Sequence, residues 1–296
     1  MSRLRVAIVG GSGYTAGELV RLLLFHPQVE LAQVASSSHA GHYLHSVHPN
    51  LRKLCTLRFC HPDDLTSCDM LFLCLPHGAS SEAIERYQGI APRVIDLAAD
   101  FRLRSATLYE QWYGVAHRSP HLLAEAIYGL PELHRAELPG ATFISGTGCM
   151  ATAAILGLAP LYRAGLVNTT IPLIVDAKVG SSAAGATPSA ASHHPDRSGA
   201  IRSFQPTGHR HTAELIQELG QITSAITRPA VGASAAVILS AAKDDKSPDR
   251  SVTRSEAERV SILRPPAGDF CQPIAFSATA VELVRGAVSY THLTLP

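Results

Sequence analysis

The sequence lacks the features that would assign it to several other classes of protein. Its 296 residues carry 25 basic and 24 acidic side chains, so no excess of charge predicts binding to nucleic acid or to an anionic membrane surface. No apolar run reaches the roughly 20 residues of a membrane-spanning helix, and no segment has the pattern of a secretory signal peptide. We therefore expect a cytoplasmic protein.

Cysteine is scarce, and its spacing excludes common cysteine-based scaffolds. The six cysteines include no C-x-x-C pair, so a structural zinc site is not predicted. Without a secretion signal, we expect reduced thiols rather than disulfides. With 46% apolar and 17% charged residues, the composition is that of a globular chain long enough for one large or two ordinary domains.

The N-terminal residues form a dinucleotide-binding pattern. Leu4–Val9 predicts a buried parallel strand and Glu18–Phe25 predicts a helix. Between them, Gly10, Gly13 and Ala16 keep the spacing G-x-x-G-x-x-A rather than a strict G-x-G-x-x-G. Small residues there let the backbone approach a pyrophosphate at a helix N-terminus, although a turn without a ligand is the alternative. The residues that we expect to bind the cofactor are Gly10, Ser12, Gly13, Tyr14 and Thr15.

The end of the next predicted strand, Val29–Ala35, bears on the choice of cofactor. NAD-preferring sites usually place an acidic residue there to hold the ribose 2′-hydroxyl, whereas this chain has Ser36 and Ser38. Small hydroxyl residues leave room for a 2′-phosphate and can hydrogen-bond to it. We therefore expect NADP, with a solvated serine-rich loop as the alternative.

Two later strand ends carry further candidate residues. The predicted strand Asp69–Leu75 runs into Pro76 and His77, which we expect to border the cofactor because ligands bind at the carboxyl ends of parallel strands. Beyond the next strand, Arg102 is a candidate for binding an anionic substrate group, or else forms an exposed salt-bridged corner with Asp100. The alternation of strands and helices predicts an α/β fold with a parallel sheet.

Cys149 is the candidate nucleophile. It lies between a glycine-rich turn, residues 145–148, and an apolar helical run, Ala153–Leu161. The N–H groups and dipole at a helix start stabilise a thiolate, which is the reactive form of cysteine. An ordinary buried thiol is the alternative.

Two histidines precede a predicted helix in the second half of the chain. His209 and His211 come before Ala213–Leu219, which Thr212 is placed to cap. Their spacing differs from the i, i+4 pair of a helical zinc site, so no metal is expected. A proton carrier for the cysteine fits the pair better, although a single histidine is more often a plain surface or core residue.

Together these motifs resemble the N-acetyl-gamma-glutamyl-phosphate reductases, two-domain enzymes related to aspartate-semialdehyde dehydrogenase. The common form has Asn-Pro before the Gly-Cys and Tyr-Pro after it, whereas this chain has Gly146-Thr147 and Met150-Ala151. That departure is similar to the branch acting on alpha-aminoadipate or glutamate phosphate attached to an amino-group carrier protein. The segment KVGSSAAGATPSAASHHPDRS is similar to that branch as well. The segments that match the family are GGSGYTAGELVRLLL, HPNLR, FLCLPHG, VIDLAADFRL, YGLPEL, GTGCMATAA and TGHRHTAE.

The resemblance implies NADPH-dependent reduction of an acyl phosphate to a semialdehyde, in lysine or arginine biosynthesis, by a homo-oligomer. Cys149 is similar to the nucleophile that forms a thioester, and His211, or else His209, to the acid/base. If the substrate is attached to an acidic carrier protein, Arg197 and Arg202 are candidates to receive it. The substrate-binding residues that the resemblance implies are Arg102, Lys178 and Ser181.

The resemblance also implies a domain division. A Rossmann-type NADP-binding domain is expected at residues 1–147, and an α+β catalytic and dimerisation domain of the semialdehyde dehydrogenase type at 148–290. The charged, aperiodic residues from about 235 to 270 predict an insertion. The last residues depart from the family pattern, so we expect a truncated C-terminal end. The alternative function is therefore an NADP-binding protein with impaired catalysis.

Overall fold

The computed structural model describes residues 2–189 and 192–226, together with the strand segments 237–239, 261–263 and 274–280. The chain divides into two compact units, of which the first comprises the residues through Gly148 together with Ala184–Pro188, and the second begins at Cys149. Within the described ranges, every helix is too short or too polar for a membrane span.

The first unit is built on one parallel sheet of seven strands. Their order in the sheet is 3-2-1-4-5-7-6, counting strands along the chain, and all six pairings are parallel. The order reverses between the first and fourth strands, which is where doubly wound sheets bind their ligands. The predicted Rossmann-type α/β fold is confirmed. The strands are β1 (Leu4–Val9), β2 (Val29–Ala35), β3 (Phe59–Cys60), β4 (Met70–Leu73), β5 (Val94–Asp96), β6 (Ile127–Tyr128) and β7 (Phe143–Ser145).

The first helix of the first unit starts earlier than the sequence predicted. The first begins at Tyr14 rather than at Glu18, because Gly13 takes the extended N-cap conformation and the chain turns helical at once. The third begins at Ala79 after Gly78, whose φ of +87° suits a glycine. The helices are α1 (Tyr14–Leu23), α2 (Leu44–Val47), α3 (Ala79–Gln88), α4 (Ala106–Tyr113) and α5 (Pro131–His134).

Alternating residues of the sheet supply two apolar layers. Val6 and Ile8 of β1 face the side covered by α1, where they join a cluster that includes Leu19. Ala7 and Val9 face the opposite side and join Ile84 of α3. Because both faces are covered, the buried part of β1 and all of β4 are apolar, which is why the bounds of these strands could be predicted closely from apolar runs.

The second unit contains a mixed sheet and two long helices. The strand nearest the C-terminus lies between the other two members of a three-stranded sheet, parallel to one and antiparallel to the other. Two short strands inside the predicted insertion form an antiparallel pair. The rest of that insertion, and the departure at the C-terminal end, lie outside the described residues. The elements are α6 (Cys149–Arg163), β8 (Leu173–Val179), α7 (His194–Arg197), β9 (Arg202–Gln205), α8 (His211–Ile226), β10 (Val237–Leu239), β11 (Ser261–Leu263) and β12 (Ile274–Ala280).

Phe72, at the centre of the first sheet, should be among the side chains whose loss costs the most stability. Its ring is fully buried on β4, so truncation to alanine leaves a cavity and should lower the free energy of unfolding by about 3–5 kcal/mol. Phe25, just after α1, is 68% exposed and provides the matched control. Urea unfolding of the full chain should show F25A within about 0.5 kcal/mol of the parent, and equal losses in the two variants would contradict this description of the core.

Candidate functional site

The glycine-rich turn after β1 is pressed against two neighbouring strand ends. Gly10 has a φ of +79°, and a Cβ there would lie 2.4 Å from the carbonyl oxygen of Cys74. A Cβ on Gly11 would lie 2.4 Å from a methyl group of Val34, and the Gly11 N–H donates to the carbonyl of Ala35 at 2.8 Å. Both positions therefore require glycine, which the sequence pattern predicted for Gly10 but not for Gly11.

The start of α1 fits an anionic ligand. Gly13 caps the helix without a side-chain hydrogen bond, and no acidic residue lies in the first turn. Among the described residues, none accepts a hydrogen bond from the Ser12 N–H. Tyr14 and Thr15 are exposed beside it. Unsatisfied N–H groups at a helix N-terminus suit the pyrophosphate of a dinucleotide.

The serine-rich loop after β2 is tied to β3. The N–H of Ser36 donates to the carbonyl of Cys60 at 3.0 Å, which buries Ser36. Its hydroxyl lies 3.4 Å from that of the exposed Ser38, which also contacts the ring of His39 at 2.8 Å. Neither serine has a carboxylate beside it in the chain, so the loop remains compatible with a 2′-phosphate.

Arg58 is a residue that the sequence reasoning missed. Its Nη1 donates to the carbonyl of Gly41, at the far end of the same loop, at 2.7 Å. The guanidinium also lies over the ring of Tyr43, 3.8 Å from the ring centre. Because 17 residues separate Arg58 from Gly41, no local motif could have predicted that a cation joins this loop.

Asp100 holds the loop that carries His77. Both of its carboxylate oxygens accept from the Gly78 N–H at 3.0 Å, and one accepts from the Ser81 hydroxyl at 2.6 Å. The other oxygen lies 3.4 Å from His77 Nδ1. Burial alone would raise the pKa of Asp100, but these hydrogen bonds outweigh it and leave the pKa below its usual value. Since Asp100 is fully buried, the alternative of an exposed salt-bridged corner is wrong.

Asp96, the last residue of β5, is a buried carboxyl group to which the sequence assigned no role. One oxygen accepts from the Ser80 hydroxyl at 2.7 Å and from the Ala98 N–H at 3.0 Å. The other oxygen has no hydrogen-bond donor in the described part of the chain. Burial raises the pKa of Asp96 to about 7, although the bonds from Ser80 and Ala98 work against the rise.

Arg102 supports the turn that leads to the cysteine. Its Nε donates to the carbonyl of Gly146 at 3.0 Å, and its Nη2 lies 3.5 Å from the carbonyl of Leu97. The Gly146 N–H donates in turn to the carbonyl of Asp96 at 2.6 Å. The half-buried guanidinium is therefore already oriented by backbone acceptors, and its expected contact with an anionic substrate stays a prediction.

In the second unit, Cys149 is the first residue of α6. Its thiol is free and half-buried. The expected helix run began at Ala153, so the structure extends the helix by one turn and brings the sulfur to the N-terminal end. The sulfur therefore lies beside the N–H groups of the first turn of α6.

The two histidines form a buried pair at the start of α8. Their ring centres are 4.5 Å apart in an edge-on arrangement, and the His211 N–H donates to His209 Nδ1 at 3.1 Å. His211 Nε2 lies 3.8 Å from the carboxylate of the fully buried Glu214. The predicted cap was wrong: α8 begins at His211, two residues early, so Thr212 lies inside the first turn. The helices α6 and α8 pack against each other.

The other residues predicted to contact the substrate or its carrier differ in how exposed they are. Lys178 is exposed on β8 and pairs with Asp176, and Ser181 begins a short 3-10 turn. Arg202 is exposed on β9, whereas Arg197 is only 8% exposed. Arg197 is therefore a poor candidate for receiving a carrier protein, and Arg202 remains one.

Comparison with known proteins places the chain in a family. Residues 5–141 match the model of the semialdehyde dehydrogenase NAD-binding domain, and residues 149–238 match that of the dimerisation domain. The chain belongs to the semialdehyde dehydrogenase family. The resemblance found in its motifs is thereby confirmed, and its first domain is a nicotinamide dinucleotide-binding domain.

Solved structures agree with this fold. The crystal structure of aspartate semialdehyde dehydrogenase II from Vibrio cholerae superposes with a TM-score of 0.58 at 13% identity, covering 95% of this chain and 71% of that one. At this identity the similarity concerns the fold alone.

Two curated relatives are much closer in sequence. A protein of Thermomicrobium roseum, provisionally named LysW-L-2-aminoadipate 6-phosphate reductase, is 59% identical over 214 residues, or 72% of this chain and 61% of the relative. The LysW-L-2-aminoadipate/LysW-L-glutamate phosphate reductase of Sulfurisphaera tokodaii is 50% identical over 222 residues, or 74% and 63%. The chain thus spans about three fifths of the length of these relatives.

Ionisation of Asp96 should make the stability depend on pH. Its folded-state pKa of about 7 lies above the unfolded value, so folding favours the neutral acid. The resulting stability is complete below about pH 4 and is lost as the pH rises to about 7, with a limit on the order of 4 kcal/mol. Urea unfolding of the full chain should accordingly show lower stability at about pH 8 than at about pH 5.

Two variants isolate this contribution. Asp96→Asn keeps an oxygen for Ser80 and Ala98 but cannot ionise, so its stability should differ less between the two pH values. Glu30→Gln removes an exposed carboxylate from β2 and should leave the difference unchanged. If both variants kept the full pH dependence, Asp96 would not be its source.

Proposed function

We propose that this protein is an NADP-dependent reductase that converts an acyl phosphate into a semialdehyde through a thioester on Cys149. The observation that carries the proposal is a half-buried thiol at the start of α6. In the same unit, α6 packs against α8, and the buried histidines His209 and His211 lie at the N-terminal end of α8. Reduction also requires a hydride donor, and the dinucleotide-binding domain of the same chain would bind one. In this proposal, residues 1–147 bind the cofactor and residues 148–290 perform catalysis and dimerisation.

The first chemical step is acyl transfer. The Cys149 thiolate attacks the carbonyl carbon of the acyl phosphate, the carbon–oxygen bond to phosphate breaks, and inorganic phosphate leaves with its electron pair. Backbone N–H groups at the start of α6 are placed to stabilise both the thiolate and the developing oxyanion. Arg102 is a candidate for binding the phosphate, because a guanidinium matches its oxygens in geometry and charge.

The second step releases the aldehyde. A nicotinamide cofactor held by the first domain would supply the hydride that reduces the thioester carbonyl. The carbon–sulfur bond of the resulting hemithioacetal then breaks, and the thiolate of Cys149 is restored. We assign two proton transfers to His211, whose Nε2 faces the Glu214 carboxylate, with His209 as the alternative. The histidine gives a proton to the hemithioacetal oxygen as the hydride arrives, and takes it back as the carbon–sulfur bond breaks.

The proposed substrate is attached to an acidic amino-group carrier protein. Both curated relatives carry names that specify a LysW-linked aminoadipate or glutamate phosphate. In this chain, Gly146-Thr147 and Met150-Ala151 flank the cysteine where the common acetylglutamyl-phosphate enzymes have prolines. The exposed Arg202 on β9 is the charged group that we propose for contact with the carrier. The dimerisation-domain match supports a homo-oligomer.

Substitution of the cysteine tests the chemistry. Cys149→Ser should reduce turnover by about 10³-fold or more, because a serine hydroxyl is far less nucleophilic at neutral pH. Cys60→Ser changes a half-buried thiol on β3 and is the matched control. NADPH oxidation should be followed with carrier-bound aminoadipyl phosphate and with free N-acetylglutamyl phosphate in parallel.

The acyl-enzyme gives a second readout. Without NADPH, mass spectrometry should detect the acyl adduct on Cys149 in the parent and in C60S but not in C149S. Full activity in C149S would contradict the proposal. NADPH binding by the parent with neither adduct nor turnover would instead support a dinucleotide-binding protein without catalysis. Faster reduction of the free acetylated substrate would reject the carrier-bound one.

The choice of NADP over NAD rests on the serine-rich loop that follows β2, and it can be tested at Ser36. Ser36→Asp places a carboxylate where NAD-preferring sites hold the ribose hydroxyls and where a 2′-phosphate would be repelled. We expect the Kd for NADPH to rise about tenfold or more while that for NADH stays constant or falls. Ser36→Asn adds nearly the same volume without charge and should change the preference far less. A parent that binds NADH more tightly would overturn the choice.

A further inference from the structure

His48 is a buried histidine that contacts the glycine-rich turn. It follows α2 and is 5% exposed. Its Nε2 lies 2.7 Å from the carbonyl oxygen of Gly11. A carbonyl only accepts, so Nε2 carries the proton and donates. The residue lies in the HPNLR segment, to which the sequence assigned no chemical role.

The surroundings fix the imidazole in this position. A Cβ on Gly17 would lie 2.6 Å from His48 Nδ1, so the ring lies directly against the first turns of α1. The ring of Phe59 packs on it with centres 6.3 Å apart, and the backbone N–H of His48 donates to Leu44 at 2.9 Å. The histidine therefore connects α2 and β3 to the glycine-rich turn as a single packed unit.

The hydrogen bond determines where the next N–H group points. In a trans peptide, the C=O of Gly11 and the N–H of Ser12 point in opposite directions within one plane. Because His48 holds the carbonyl toward the interior, the Ser12 N–H is directed away from it, and no described residue accepts from that N–H. Glycine at position 11 would otherwise allow this peptide plane to rotate at small cost.

We propose that His48 is a positioning residue of the dinucleotide site, which holds the Gly11–Ser12 peptide so that the Ser12 N–H donates to the pyrophosphate of the cofactor. This inference rests on the nicotinamide dinucleotide being the ligand of the proposed function. It assigns to His48 no contact with the cofactor and no part in proton transfer.

The test compares variants that keep or remove the donor in the full chain. In His48→Gln, the amide nitrogen occupies nearly the place of Nε2, whereas His48→Met fills similar volume without a donor. Binding of NADPH and NADH should be measured by fluorescence titration, with adenosine 2′-monophosphate as a ligand that lacks the pyrophosphate. Thermal unfolding of each variant shows whether it is folded.

We expect His48→Met to raise the Kd for the dinucleotide by about tenfold, the effect of one directed hydrogen bond. His48→Gln should recover most of that loss, and both variants should bind adenosine 2′-monophosphate within about twofold of the parent. If H48M does not fold, H48N replaces it, because its shorter amide cannot reach the Gly11 carbonyl.

Several results would overturn the inference. Unchanged dinucleotide binding in H48M, or in the substitute H48N, would show that the peptide is held without the histidine. An equal loss for adenosine 2′-monophosphate would show general damage instead of positioning. A parent that prefers NADH would refute the NADP assignment alone, and the comparison would then use adenosine as the pyrophosphate-free ligand. A parent that binds neither dinucleotide would refute both proposals.

Discussion

Two buried aspartates, Asp96 at the end of β5 and Asp100 four residues later, hold together the carboxyl end of the sheet on which the candidate cofactor site depends. Asp100 accepts hydrogen bonds from Gly78 and Ser81 and so supplies the cap that α3 lacks in its own sequence. The backbone carbonyl of Asp96 accepts from Gly146, in the turn that leads to Cys149. One short segment of the first unit therefore orders both the loop of His77 and the turn that contains Gly146.

Much of the first unit could be predicted because a buried parallel strand is an apolar run. The predicted bounds Leu4–Val9 and Val29–Ala35 agree with β1 and β2. Helix starts were less predictable. Gly13 caps α1 without a side-chain bond, and α3 is capped by Asp100, which is distant in sequence. In neither case does a Ser, Thr, Asp or Asn immediately before the helix mark its start.

The site shows the same division between local and distant causes. The glycines of the first turn, Cys149 and the histidine pair all occur in short segments, so local spacing made them candidates. His48 and Arg58 act on Gly11 and Gly41 across 37 and 17 residues, and only the folded chain shows those contacts. Their influence is on the direction of backbone groups, which a pattern of side chains does not reveal.

The carboxyl group of Asp96 also bears on which thiol can react. Cys74 lies where β4 ends, beside the glycine-rich turn, and thus near the proposed cofactor site. Burial raises the pKa of the Cys74 thiol strongly, and a negative charge on Asp96 raises it further. The thiol is therefore held in its neutral, poorly nucleophilic form. Cys74 is therefore a structural thiol, whereas the candidate nucleophile Cys149 is half-buried at the first position of α6.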